Sequence, residues 1–438
     1  MQPTRLLLAL TFLINALSGP PVSGSSAATY DVRLTSLSPP HLLVTASMPV
    51  AGETLEMSAS RPGDVPRLDN EGWPALVRSL NVADDQGRSI ALTSAGAKGW
   101  RLAAPHTGRL RVRYEVDYTL LAERQWPAQR EAAFTDKDHL VVVGRSLFIT
   151  TPATTVSHVS FHLPKGWVAI TPWNGQSATD PDDLRENLIA FSQSEPDVID
   201  AQGFHVSVLS LGHWQSARSE VRRVLRGVIP ELVRLMGFHE REHYVVVLLP
   251  LLERGGESFR RSFAMTVDES PSRENRADWG NTIAHEVFHY WNGWRLRVAD
   301  YASSQWFQEG FTEYAANISM LASGLIDENA FRQKLAKHVE NYSKLKTTLE
   351  APGTHKGPPL YSGGALVAFL WDGMIRRATG GRRSIADFYR ELWKETNEGR
   401  LPYDWPRIAS ALNAVAPDDW EGFHRRYIEG SERLPLDR

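Results

Sequence analysis

Residues 285 to 294 read HEVFHYWNGW, two histidines four apart with a glutamate directly after the first. In an α-helix, positions i and i+4 lie on one face a turn apart, so His285 and His289 can present two imidazole nitrogens to one ion. Glu286 falls about 100° round the helix from His285, where it can reach a water on that ion without ligating it. The flanking residues favour a helix: Ile283, Val287, Phe288 and Trp291 form an apolar face, and Asp278 or Asn281 is placed to cap its start. A chance match is the competing reading. With 14 histidines in 438 residues, chance supplies on the order of a few hundredths of one such string. A histidine pair on an apolar face can also be satisfied by backbone groups.

A zinc ion in a hydrolytic site needs a third protein ligand and one open position. The chain has no cysteine, so the donors must be His, Asp or Glu. The segment SQWFQEGFTEY offers Glu309, with nineteen residues between it and His289, enough for a loop and an antiparallel return helix. Glu313, one turn further on, suits a supporting or surface position better than a ligand.

At this point the residues carry a resemblance. HEVFHYWN followed by WFQEGFTEY resembles the gluzincin aminopeptidases, whose third ligand is the Glu of a W-x-x-E-G-F/L segment. It is most similar to the bacterial glycyl aminopeptidase family, distant relatives of aminopeptidase N, in which H-E-x-x-H-x-W-N precedes a basic stretch, here Arg295, Leu296 and Arg297. The aminopeptidase N spacing of eighteen would land on Gln308, a weak neutral ligand and the alternative to Glu309. The flanking Trp306 and Gly310 set the register on Glu309. The resemblance covers nearly the whole mature chain, including HLVVVGRSLFI, LPKGW and the terminal EGFHRRYIEGSERLPLD. It implies one Zn²⁺ held by His285, His289 and Glu309, with Glu286 as general base. PLYSGGALVAFLWDGMIRR matches the family's Y-x-K-G-A-L-V-A segment, which implies that Tyr361 is the catalytic tyrosine, although Gly363 stands where lysine is usual. The family's substrate-amine glutamate follows a Gly pair as G-G-L-E. Here Gly255 and Gly256 are followed at once by Glu257, and Ser258 occupies the usual register, so Glu257 either replaces the anchor or the anchor is lost. A one-residue slip on a strand turns the side chain to the opposite face. Arg260 and Arg261 nearby are read as a different substrate terminus or as surface charge. The PDZ domain usual after the catalytic part is expected to be missing.

Around this site the chain divides by periodicity. From Tyr30 to about Gly212 residues alternate, most clearly in RLRVRYEVDY, where Leu110, Val112, Tyr114, Val116 and Tyr118 share one face. After that point SEVRRVLRGVIPELVRLMG has helical spacing and stops at Gly237. HYVVVLLP reads as one short buried strand, and from about residue 280 the pattern is mostly helical, with Ser384 and Asp387 at capping-box spacing. The expected fold class is α+β: residues 27–215 an antiparallel β-sandwich-like domain, and residues 216–438 a mainly helical, thermolysin-like zinc peptidase domain. Trp279, Trp291 and Trp294 are expected to pack in the core rather than to line a pocket.

The N-terminus has one positive charge at Arg5, an apolar run from Leu6 to Leu17, then Gly, Pro and small residues, which predicts an export leader over residues 1–26. Twelve residues rise only about 18 Å, against a hydrocarbon core of about 30 Å, so no stable span is expected after cleavage. The mature protein is expected to be periplasmic or secreted from a bacterium, a setting in which a chain can lack disulfides. A net charge of −3 provides no basic footprint for nucleic acid. Peptides or proteins are the expected substrates. Three functions follow: an exported zinc aminopeptidase for small N-terminal residues, a zinc endopeptidase without the amine anchor, or a binding or scaffold protein with a vestigial zinc site.

Overall fold

The computed structural model describes residues 26–60, 65–126, 131–173, 178, 180–237, 240–351 and 357–436. The expected leader lies outside these residues save for Ser26.

The first half builds two sheets. The larger runs β3 (Val77–Asp84), β5 (Gly99–Asp117), β2 (Pro40–Glu56), β1 (Ala27–Leu37) and β8 (Val156–His162), with β4 (Leu92–Ser94) also on β5. Neighbours are antiparallel except β1 and β8, which are parallel. The alternation in β5 buries Leu110, Val112, Tyr114 and Val116 and leaves Arg111 and Arg113 exposed. The second sheet, β6 (Phe134–Thr135), β7 (His139–Val143), β10 (Leu188–Ser192) and β9 (Val168–Ile170), is antiparallel. Its Leu140, Val142, Ile189 and Phe191 pack against Val44, Val112 and Tyr114 of the first sheet. The alternate residues Val141, Val143 and Ala190 face a third sheet, so β7 and β10 are buried on both faces and read as plain apolar runs.

The third sheet runs β11 (Asp197–Ala201), β12 (Phe204–Ser210), β13 (Glu242–Leu252), β15 (Ser262–Val267) and β14 (Gly255–Phe259). It corrects two expectations. HYVVVLLP, expected as one short buried strand, lies within the longer, 11-residue β13. The expected division at 215–216 also falls inside the sheet, because β12 pairs in parallel with β13 across helix α1 (Arg218–Met236). The cause is local: β11 and β12 alternate like the strands before them, but their apolar residues Ile199, Val206 and Val208 join the helical core. β13 sends Tyr244, Val246 and Leu248 into that core and Val245, Val247 and Leu249 against the second sheet.

Helices α2 (Arg276–Phe288), α3 (Tyr301–Ala322), α4 (Glu328–Ser343), α5 (Pro358–Ala378), α6 (Ile385–Glu395), α7 (Trp405–Val415) and α8 (Trp420–Tyr427) complete the second half. The molecule is thus layered as sheet, sheet, sheet and helices, an α+β fold whose β-rich first half is sandwich-like. The Ser384–Asp387 capping box is formed at the start of α6. Among the described residues no helix is long and apolar enough to cross a membrane.

Candidate metal centre and cleft

Helix α2 begins after Asn275, which takes the N-cap position in place of the expected Asp278 or Asn281. Asn281 instead donates to both carboxylate oxygens of Glu313, at 3.0 and 3.2 Å. Helix α3 is capped by Asp300, whose side chain accepts from the Ala302 amide. The two helices carry the three expected ligands together. His285 Nε2 and His289 Nε2 lie 3.1 Å apart, and Glu309 Oε2 is 3.4 Å from each. Gln308 also lines the cleft, while the carboxylate of Glu309 is the group that meets both histidines.

This geometry fits zinc. Tetrahedral donors at 2.0–2.1 Å from Zn²⁺ stand roughly 3.3–3.4 Å from one another. The outer nitrogens settle the tautomers: His285 Nδ1 donates to Glu313 Oε2 at 3.1 Å, and His289 Nδ1 donates to the Asn292 carbonyl at 3.0 Å. In both rings Nε2 is the nitrogen left facing Glu309, so with these nitrogens deprotonated the three groups would present three donors to one cation. Burial works against charge on Glu309, yet His289 and His285 hold its carboxyl well below the usual carboxylate range. Asn292, fully buried, also ties the loop to α3 by donating to the Gln308 carbonyl at 3.0 Å and to Thr312 Oγ1 at 3.1 Å.

The cluster floors a cleft of about 650 Å³. One wall is the edge strand β14, with Gly256, Glu257 and Ser258; the other is the segment after α2, with Gly293, Trp294, Arg297, Val298 and Tyr301. Trp279 and Trp291 are buried as expected, whereas Trp294 faces the cleft. Gly255 pairs with Thr266 and lies one residue outside the wall. Glu286 sits under β14, and burial raises its pKa against the opposing pull of His285 and His289. Tyr361, in the first turn of α5, stacks over His285 with ring centroids 6.3 Å apart. Its burial, reinforced by Glu309, pushes the phenol's pKa well up, so it stays a hydrogen-bond donor. Tyr301 donates to Glu309 Oε1 at 3.3 Å. Burial pushes Glu257 up to about 8, with Arg145 opposing and Glu131, Glu286 and Glu309 adding to the rise.

Arg145 was not visible as a site residue because its stretch reads as a strand. The chain turns at Gly144, where a Cβ would lie 2.1 Å from the Leu184 carbonyl oxygen, and the helical turn Gly144–Leu147 directs Arg145 into the cleft. There it pairs with Glu131 and Glu186, at 2.8 and 2.7 Å. Arg260 and Arg261 are neither free charges nor cleft residues: they pair with Asp180 and Asp183 at 2.7 and 2.6 Å.

The fold and this site define a zinc metallopeptidase with two histidine donors and one glutamate. Residues 29–190 match the family model of the peptidase M61 N-terminal domain, and residues 279–356 match that of the M61 glycyl aminopeptidase. The chain belongs to the M61 glycyl aminopeptidase family. Similar solved structures include an aminopeptidase N family protein from Idiomarina loihiensis, with TM-score 0.76 and 18% identity over 93% of this chain and 77% of that one. An M1 zinc metallopeptidase from Deinococcus radiodurans has TM-score 0.59 and 17% identity over 95% and 98%. A mutant of a Deinococcus radiodurans M1 zinc metallopeptidase, bound to a Tyr-Ser-Ala substrate, has TM-score 0.60 and 16% identity over 94% and 95%. The chain matches no curated protein.

Proposed function

We propose that the chain is an exported zinc aminopeptidase that removes small N-terminal residues, of the glycine and alanine class, from peptides. The observation that carries this reading is the meeting of His285, His289, Glu309, Glu286 and Glu257 in one cleft. Zinc at the cluster supplies Lewis acidity to water and to a peptide carbonyl. Glu286, with its raised pKa, accepts the proton of the attacking water and passes it to the departing amine. The Tyr361 hydroxyl donates to the carbonyl oxygen as negative charge develops on it. Glu257, on the β14 wall of the cleft, receives the substrate's ammonium as a carboxylate. β14 borders the sheet with an open edge on the cleft side, which suits an extended peptide lying alongside it.

The preference for small residues rests on the family likeness, and export rests on the apolar stretch from Leu6 to Leu17. The similarity to the Deinococcus protein bound to a Tyr-Ser-Ala substrate supports peptides as substrates. The endopeptidase reading gains from one observation, that Arg145 lines the same cleft as Glu257, where its cation competes with a substrate ammonium for that carboxylate. Replacing Glu257 with Gln decides between the two. An aminopeptidase loses affinity for free-amine peptides, with KM rising roughly thirty-fold or more on loss of a buried charge pair, whereas an endopeptidase keeps its KM.

A further inference from the structure

Behind the metal cluster, on the side away from the cleft, lies a buried polar chain that the reaction does not use. Glu313 is its hub. Besides His285 Nδ1 and Asn281, it accepts from Asn317 Nδ2 at 3.2 Å, and His338 Nε2 lies 3.6 Å from its Oε1. Asn317 Nδ2 also reaches His338 Nε2 at 3.2 Å, and His338 Nδ1 reaches Ser362 Oγ at 3.1 Å. His338 is 8% exposed and Ser362 and Asn317 are 2% exposed. Asn317 must turn its amide nitrogen toward the Glu313 carboxylate, and an amide nitrogen can only donate. His338 Nε2 is therefore an acceptor, and Nδ1–H donates to Ser362. Burial, the main influence on His338, lowers its pKa and keeps it in this neutral form. Ser362 directly follows Tyr361 at the start of α5.

We infer that His338 is a positioning residue: through Asn317 and Glu313 it orients the metal ligand His285, and through Ser362 it fixes the helix turn that carries Tyr361. It belongs to neither the metal cluster nor the cleft lining, so its effect on the site runs through these partners. The inference rests on the metallopeptidase reading of the site. Its two arms can be separated chemically. The amide of a glutamine falls near the position of a histidine Nε2, and that of an asparagine near Nδ1. His338→Gln thus keeps the arm to Asn317 and loses Ser362, whereas His338→Asn does the reverse.

The test measures zinc dissociation constants by chelator competition, together with kcat and KM for a free-amine peptide, in the full chain and these two variants, with unfolding of the metal-free proteins as a check on the fold. Outer partners of a metal ligand typically contribute 10- to 100-fold in affinity or activity. The expected result is about ten-fold weaker zinc binding in His338→Asn, and near-normal zinc binding with kcat lowered about ten-fold at unchanged KM in His338→Gln. Zinc bound as tightly by both variants as by the unaltered chain, with kcat also unchanged, overturns the inference alone. An unaltered chain that binds no zinc overturns the metal-centre reading and this inference with it.

Discussion

Glu286 owes its place to the absence of a side chain at Gly256. A Cβ there would lie 2.2 Å from Glu286 Oε1, so the edge strand and Glu286 are in direct contact only because residue 256 is glycine. Gly256→Ala is expected to push the carboxylate aside and to lower kcat by about 10²-fold, the scale of a 1 Å misplacement of a reacting group, while zinc content stays unchanged. A normal kcat would show that Glu286 is not held by this contact. At this scale the ligands were legible because a helix converts a spacing of four into a shared face, and because Trp306 and Gly310 frame Glu309. The roles of Asn281, Asn317 and His338 were not, since each depends on the packing of α4 and α5 against α2 and α3. Arg145 was hidden by one glycine that ends its strand early.

Helices α3 and α5, which carry Glu309 and Tyr361, touch backbone to backbone. A Cβ on Gly364 would lie 1.8 Å from the Trp306 carbonyl oxygen, and one on Gly310 would lie 2.3 Å from Gly364 Cα. No larger residue fits without parting the helices, so Gly364→Ala is expected to destabilise by about 1–3 kcal/mol as an overpacked contact and to lower turnover by moving Tyr361 from His285. Thermal unfolding and kcat measured together check this, and an unchanged melting temperature would contradict it. The neighbouring Gly363 departs from the family's lysine for a visible reason: a Cβ there would already lie 2.5 Å from Leu349 Cδ2 and 2.9 Å from Tyr342 Cδ2. Elements with one solvated face, such as β5, could be read from alternation. The strands of the third sheet were harder, because β13 is covered on both faces and β11 and β12 belong to the half that follows them.

Across the whole molecule the cleft is a joint product of both halves. The catalytic helices supply the metal donors and the first half supplies Arg145, held at 12% side-chain exposure between Glu131 and Glu186. Breaking such a group leaves buried carboxylates without their cation, at a cost of about 3–5 kcal/mol. Arg145→Ala should therefore lower the melting temperature by roughly 6–20 °C, at about 2–4 °C per kcal/mol for domains of 150–250 residues. An unchanged unfolding curve would mean that this ion group adds nothing to the stability of the first half, to which all three residues belong. The central claim is that these parts form a metal-dependent enzyme that recognises a free substrate amine. Its most direct test is cleavage by the zinc-loaded protein of one glycine- or alanine-headed peptide in free and N-acetylated forms, with Glu286→Gln as the control. The account predicts rapid cleavage of the free peptide, loss of cleavage on acetylation and an inert control; equal cleavage of both forms, or an active Glu286→Gln protein, would contradict it.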